Sequence, residues 1–524
     1  MKKIFNILSV AAIVSLAACT DLDVPPKSIA SGDVIFEDAS TYESFLAKIY
    51  AGFALTGQQG PAGSGDISGI DEGASSYIRQ YWQLQELPTD EAVIGWADGN
   101  LPDLNTMSWN DGNEFITAMY YRVFYNISLA NEFIRESSDA NLDSRGFTDA
   151  EKEIIRQYRA EARFVRAMSY WHGLDLFGNI PFYTEEDAIG SDAPEQATPA
   201  EVFAYIESEL IDIENELFDA ATVPYGRASK AAVWALQAKL YLNAVVYTGT
   251  DRSTDCITAC NKIINDGTFS LWPTYSENFG ADNNISNEII FAALFDGQNT
   301  RTYGGTTYLV SAAVGGTMDP TAYGIAGGWG GIRATSALVN LFPDETGSLD
   351  HRAIFYTSGQ TKEITDISEF TNGYAVPKFT NVTSTGARGS HENFPDTDFA
   401  FFRLADVYLM YAEAVLRGGS GGDATTALGY VNQIRQRAYG TNAGDITAGQ
   451  LTLDFILDER GRELYWEGHR RTDLIRFGEY SDAGVWPWKG GVQAGTVTSA
   501  HLNLYPLPSS ELIANPKLKQ NDQY

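Results

Sequence analysis

A chain of 524 residues with 44% hydrophobic content has material for one large core or two, and its formal charge of −32 gives a surface that repels nucleic acid and anionic lipid. A neutral ligand escapes that repulsion, and 10 Trp, 28 Tyr and 27 Phe exceed what a helical core of this size obviously needs. With three cysteines, no disulfide framework can carry the fold, so a hydrophobic core must.

Lys2 and Lys3 precede an apolar stretch from Ile7 to Leu16 that ends in small residues, the arrangement of a secretory signal. That stretch is shorter than the roughly 20 apolar residues a membrane span needs, and no later segment supplies such a run. Leu16-Ala17-Ala18-Cys19 resembles a bacterial lipobox, which makes Cys19 the expected lipidated N-terminus. Residues 1–18 are then the signal peptide and 19–32 a tether with paired prolines at Pro25 and Pro26. A single domain is expected over 33–524, with an N-terminal region to about 275 and a C-terminal region from about 276.

A helix is expected over Ser40–Phe53, then a Gly-rich loop from Gly57 to Gly73 and irregular chain to Trp109. Helical periodicity dominates from Glu114 onward. Ala160, Phe164, Ala167, Trp171 and Leu174 mark one helix face, as do Ala231, Ala235, Ala238, Leu242 and Val245, and later Leu404, Tyr408, Tyr411 and Val415. Small residues alternate with large ones on these faces, which lets helices approach closely in the manner of tetratricopeptide-type pairs, although no strict 34-residue repeat is present. The expected fold is mainly α: a helical-pair scaffold carrying loop-rich insertions. The second insertion runs from about Asn278 to Asp398, and helices return over Phe401–Gly418, Asp423–Tyr439 and Gln450–Gly468. Cys256 and Cys260, one helical turn apart with no His nearby, read as buried structural thiols.

Several stretches resemble the SusD/RagB family of surface lipoproteins of Bacteroidetes. They are Ala160–Ala167 running on to Leu176-Phe177-Gly178-Asn179-Ile180-Pro181-Phe182, Phe402-Arg403-Leu404-Ala405-Asp406, and Glu459–Leu474. The charge-dense Glu459–Arg471 segment could suggest catalysis, but Glu459 and Glu463, like Glu467 and Arg471, stand one helical turn apart, which suits ion pairing between packed helices. Loops also resemble the starch-binding members of the family: Asp71-Glu72-Gly73, Glu86–Glu91, Tyr303–Val310 and Trp488-Lys489-Gly490-Gly491. Because loops diverge faster than scaffolds, this agreement points to an α-glucan ligand such as starch.

The resemblance implies an aromatic arc of Trp96, Trp329 and Tyr303, with Asp71, Arg79 and Asn100 supplying hydrogen bonds. Asn100 aligns only after a one-residue deletion between Trp96 and Pro102. Asp71 and Arg79 could instead pair with each other. Asp396 and Asp398, with Asn284 of the Asp282-Asn283-Asn284 turn, suggest a structural Ca²⁺ site of hard oxygen ligands. The resemblance further implies a surface-exposed outer-membrane lipoprotein, without catalysis, that passes glycan to a SusC-like TonB-dependent transporter. Two alternatives remain at the level of sequence: a relative that binds another glycan or a peptide, and a glycoside hydrolase, which needs two carboxylates roughly 5 to 10 Å apart. No hydrolase signature appears, and the five histidines are scattered.

Overall fold

The first long helix, α1 (Ala39–Ala54), opens where the Asp38 carboxylate accepts the Ser40 N–H, and it buries Tyr42, Leu46, Ile49 and Phe53. The computed structural model describes residues 35–187, 190 and 192–524. Cys19, the signal segment and the tether lie outside them.

Beyond α1, the elements that matter for the site are α2 (Tyr77–Glu86), β1 (Ala92–Ile94), α3 (Glu114–Glu136), α4 (Asp149–Phe177), α5 (Pro199–Ile213), α6 (Lys230–Leu242), α7 (Ser253–Asp266), β2 (Ile289–Ala293), α8 (Gly305–Ala312), β3 (Ile332–Ala334), β4 (Phe399–Arg403), α9 (Leu404–Leu416), α10 (Ala424–Tyr439), α11 (Leu453–Leu464) and α12 (Arg470–Phe477). Consecutive helices pack side by side: α3 on α4, α4 on α5, α6 on α7, α9 on α10, with α7 on α9 bridging the two halves. A capping box at Thr148 and Glu151 starts α4, and its expected face of Ala160, Phe164, Ala167, Trp171 and Leu174 is buried throughout. Buried apolar side chains from Phe36 to Leu518 form one continuous cluster. Cys256 and Cys260 are buried free thiols on α7.

Five local expectations need correcting. Chain expected to be irregular before Trp109 contains α2, every residue of which is buried. Phe401–Arg403, expected to begin a helix, belongs to β4, which pairs antiparallel with β2. Helix α6 ends at Leu242 and a short helix restarts at Ala244, which turns Val245 outward, 53% exposed. The Gly-rich insertion holds α8. Helix α11 spans Leu453–Leu464 rather than reaching Gly468, because Trp466 has φ +68°, a left-handed conformation that no helix continues through. Glu467 and Arg471 therefore do not share a helix. Glu467 pairs with Lys378 and Arg403, Arg471 with Asp175 of α4. Glu459 and Glu463 do face arginines of other elements: Arg352 and Arg435, and Arg352, Arg403 and Arg437.

No described helix is long and apolar enough to cross a membrane.

Candidate functional site

The two loop-rich insertions meet through β1 and β3, which pair antiparallel with Ile94 opposite Ile332. Trp96 lies two residues beyond β1 and Trp329 three residues before β3, so this ladder carries both tryptophans to one place. The Gly95 N–H donates to the Gly331 carbonyl at 3.0 Å and extends the pairing toward them. A Cβ on Gly331 would stand 2.6 Å from the Trp96 ring, so only glycine admits that approach.

Helix α8 fixes the other loop. Carbonyls at its C-terminal end and just beyond it take the N–H groups of Trp329, Gly330 and Gly331, which donate to Ser311, Val314 and Ala312 at 2.7, 2.8 and 2.8 Å. At its opposite end stands Tyr303. The buried Glu72 carboxylate accepts the Tyr303 N–H at 3.2 Å and the Thr302 hydroxyl at 2.5 Å, pinning that tyrosine. Ser76 joins the starts of α2 and α8 by accepting the N–H groups of Arg79 and Gly305.

The outcome is a row of rings. Trp96 and Trp329 have centroids 6.3 Å apart, and Trp329 and Tyr303 also 6.3 Å. The two tryptophans are half-buried and Tyr303 is 40% exposed, so all three pack against the protein while offering a surface. Arg79, on α2 rather than in a loop, lies behind them. Its guanidinium carbon is 5.8 Å from the Trp96 ring centre and 4.6 Å from that of Tyr308, a cation–π sandwich. Arg79 makes no ion pair within 4 Å among the described residues, and its Nε has no hydrogen-bond partner. Burial pushes its guanidinium below the ordinary arginine range, while Tyr308, Asp71, Asp98 and Glu72 work against that shift. Burial likewise pushes the Tyr308 phenol up to about 12.

Asp71 and Arg79 do not pair with each other within 4 Å. The Asp71 carboxylate is exposed and accepts the Gly73 N–H at 3.0 Å, beside Tyr303. Asn100 is exposed and already engaged by a carboxylate. Its Nδ2 donates to Glu114 Oε2 at 2.6 Å and its backbone N–H to Glu114 Oε1 at 3.0 Å. Sequence reading did not single out Glu72 or Tyr308, although both fall inside the quoted loop motifs.

Asn284, Asp396 and Asp398 line one cleft of about 400 Å³ together with Asp296. The carboxylates of Asp396 and Asp398 accept hydrogen bonds from the surrounding loops. Asp396 accepts the Gly297 N–H and both the N–H and hydroxyl of Ser390, and Asp398 accepts the Phe295 N–H and the Tyr225 hydroxyl. Among the described residues no group of three or more His, Cys, Asp or Glu is placed to hold a metal ion. Asp396, Asp398 and Asn284 are the groups that would hold a calcium ion, and no step below uses one.

Rings in a row, fixed by hydrogen-bonded loops and backed by a buried cation that has no carboxylate within 4 Å among the described residues, make a platform for a ligand with apolar faces and hydroxyl edges. Comparison with known proteins gives the class. Residues 353–524 match the model of the SusD family, and residues 70–242 match the one described as starch-binding associating with outer membrane. The chain is 36% identical to the starch-binding protein SusD of Bacteroides thetaiotaomicron over its whole length and 99% of that protein, and it belongs to the SusD family. SusD-like protein P2 of Formosa agariphila is 24% identical over the whole chain and 99% of its own length. Among solved structures, a SusD homolog from Bacteroides thetaiotaomicron superposes with TM-score 0.73 at 18% identity over 97% of this chain and 100% of its own. A surface glycan-binding protein A from the same species, in complex with laminarihexaose, superposes with TM-score 0.70 at 19% identity over 92% of this chain and 99% of its own. The family is one of binding proteins rather than catalysts, which sets the hydrolase alternative aside. Its outer-membrane association is carried by the family description.

Proposed function

We propose that this protein is a surface lipoprotein, anchored through Cys19, that captures starch or malto-oligosaccharide on the Trp96–Trp329–Tyr303 row and passes it to a SusC-like TonB-dependent transporter. The observation that carries the reading is the row itself. Three ring faces from two loops over 200 residues apart in sequence meet there, the two tryptophans carried by one short strand ladder and Tyr303 by the start of α8. Sugar C–H faces pack on such rings, and Arg79 behind Trp96 with Asp71 beside Tyr303 supplies a donor and an acceptor for hydroxyls. Because the rings are positioned by helix-end hydrogen bonds, little ordering cost accompanies binding.

A curved α-1,4-glucan suits a row whose neighbouring rings are tilted by 46° and 50° rather than coplanar. The full-length similarity to a starch-binding protein supports the same ligand. A structurally similar protein holds laminarihexaose, so laminari-oligosaccharides belong in the test panel. The experiment is titration calorimetry of wild type and Trp96→Ala/Trp329→Ala against maltoheptaose and laminarihexaose. Wild type binds maltoheptaose, and the double variant loses that binding while remaining folded. Preference for laminarihexaose, or unaltered maltoheptaose binding by the variant, would overturn the α-glucan reading. Co-purification of the transporter with this protein from mildly solubilised membranes tests the partnership, and metabolic labelling with a palmitate analogue, lost in Cys19→Ala, tests the anchor.

A further inference from the structure

The row of rings does not stop at Tyr303. Its centroid lies 5.4 Å from that of Phe394, and Phe394 lies 5.0 Å from the ring of His391. Phe394 is buried and offers no face, but His391 is half-exposed, one ring further along. The His391 Nδ1 accepts the Asn393 N–H at 3.0 Å, which places the ring proton of the neutral imidazole on Nε2, where it has no protein acceptor.

Arg301 stands beside the same phenylalanine, with its guanidinium carbon 6.0 Å from the ring centre. Two of its nitrogens are fixed: Nε donates to the Gly297 carbonyl at 2.9 Å and one terminal nitrogen to Gln298 Oε1 at 2.8 Å. The other terminal nitrogen has no protein acceptor. The two loops that carry these groups are tied at their base. Asp396 accepts the N–H groups of Gly297 and Ser390, Gln298 donates to the Ser390 carbonyl at 2.8 Å, and Asn381 donates to the His391 carbonyl at 2.8 Å. The aspartate expected at a calcium site thus joins these loops directly.

We propose that His391 and Arg301 form a further subsite, continuing the aromatic row, for the next sugar unit of a glycan too long for the three rings alone. The imidazole face takes a sugar face, and the free donors on His391 and Arg301 take hydroxyl or ring oxygens. This subsite rests on the glycan reading above and adds chain-length preference to it: the protein discriminates in favour of longer oligosaccharides.

Titration of wild type, His391→Ala, Arg301→Ala and the double variant with maltotriose and maltoheptaose tests it, with melting temperatures measured alongside. The expected result is unchanged maltotriose affinity in every variant and a loss of about fivefold or more for maltoheptaose in the double variant. Equal loss on both sugars would mean that His391 merely props Tyr303 through Phe394, and would overturn the subsite. Unchanged maltoheptaose affinity would overturn it too, while leaving the three-ring site standing. If wild type binds neither sugar, the α-glucan reading and the subsite fall together. Should the alanine variant at 391 melt early, His391→Gln, which keeps a side-chain amide beside Asn393, takes its place under the same criteria.

Discussion

Two regions of this molecule concentrate chemistry, and they are built on opposite terms. Around α11 a buried ionic lattice joins Arg352, Arg403, Arg435 and Arg437 to Asp350, Glu288, Glu459, Glu463 and Glu467, nearly every charge meeting two or three partners. Around Trp96 and Trp329 there is little charge, and the buried cation behind the rings, Arg79, meets aromatic faces and no carboxylate within 4 Å among the described residues, while Arg333 of β3 is spent on backbone carbonyls such as that of Gly331. Charge density alone is therefore a poor guide to function. What separates the regions is whether the polar groups are satisfied from within: the lattice closes on itself and holds helices together, whereas the rings keep unmatched capacity for something from outside.

The sharpest way to break that contrast is Arg403→Met. The substitution conserves bulk but leaves Glu288, Glu463 and Glu467 short of a partner in the core, at an expected cost of about 3–5 kcal/mol in chemical denaturation. Maltoheptaose affinity of the folded variant stays at the wild-type level. Acid sensitivity moves as well. Burial alone would raise the Glu467 carboxyl, but Arg403 and Lys378 outweigh it and hold it down at about 2. A depressed carboxylate adds stability that is present above the ordinary glutamate pKa of about 4.3 and is lost as pH falls toward 2. With Arg403 gone, the acid limb of the stability profile shifts to higher pH. A variant as stable as wild type would show the lattice to be dispensable.

The scaffold was far more legible in the sequence than the site. Ala160, Phe164, Ala167, Trp171 and Leu174 announce α4 because a helix with one wet face must repeat its apolar residues at helical spacing. Helix α2 carries a stripe too, Tyr77, Ile78, Tyr81, Trp82 and Leu84, but over only ten residues, and its polar face of Arg79, Gln80, Gln83 and Glu86 is buried rather than solvated, so the segment read as loop. The β1–β3 ladder spans residues 92 to 334 with three pairs, too short for any periodicity, yet it assembles the rings. Trp96, Trp329 and Tyr303 could be picked out by resemblance, but not their adjacency. The break at Trp466 was invisible because a non-glycine residue holds φ +68° there by tertiary contacts, its carbonyl accepting the Trp82 indole N–H at 3.1 Å and its N–H meeting Glu91 at 3.3 Å.

That same turn supplies the second test, because it lies between the two regions. Glu86 accepts the Gly468 N–H at 2.6 Å and Glu91 the Trp466 N–H, so the two buried carboxyl groups that grip the turn face each other. Burial is the main cause that pushes both up, Glu91 to about 7 despite the nearby Arg470 and Lys378. For an acid whose folded pKa is raised, the stabilising contribution is complete below about pH 4.3 and is lost as pH rises through about 7. Glu91→Gln, which keeps an acceptor for Trp466 and adds a donor for Glu86, is expected to be more stable than wild type by about 1–2 kcal/mol at pH 8.5 and no more stable at pH 4. Denaturant titrations at the two pH values decide it, and equal shifts at both would show that the raised Glu91 carboxyl does not set the pH dependence.

The smallest expected effects lie within the site and test its division of labour. In Arg79→Met the aliphatic chain still fills the space between Trp96 and Tyr308, so packing survives while the buried donor goes. Loss of an unpaired buried cation relieves desolvation, so the melting temperature should hold or rise. Maltoheptaose affinity should fall about fivefold, the worth of a charged hydrogen bond partly offset by solvent in the free state. Asn100→Ala should cost less than about twofold, because that amide already donates to Glu114 at 2.6 Å and must break this bond before serving a sugar. Titration of both variants against one preparation of maltoheptaose gives the ordering directly. If Asn100→Ala proves the costlier change, the hydrogen-bonding edge lies toward Glu114, and Arg79 serves only to hold Trp96 in place through its guanidinium face.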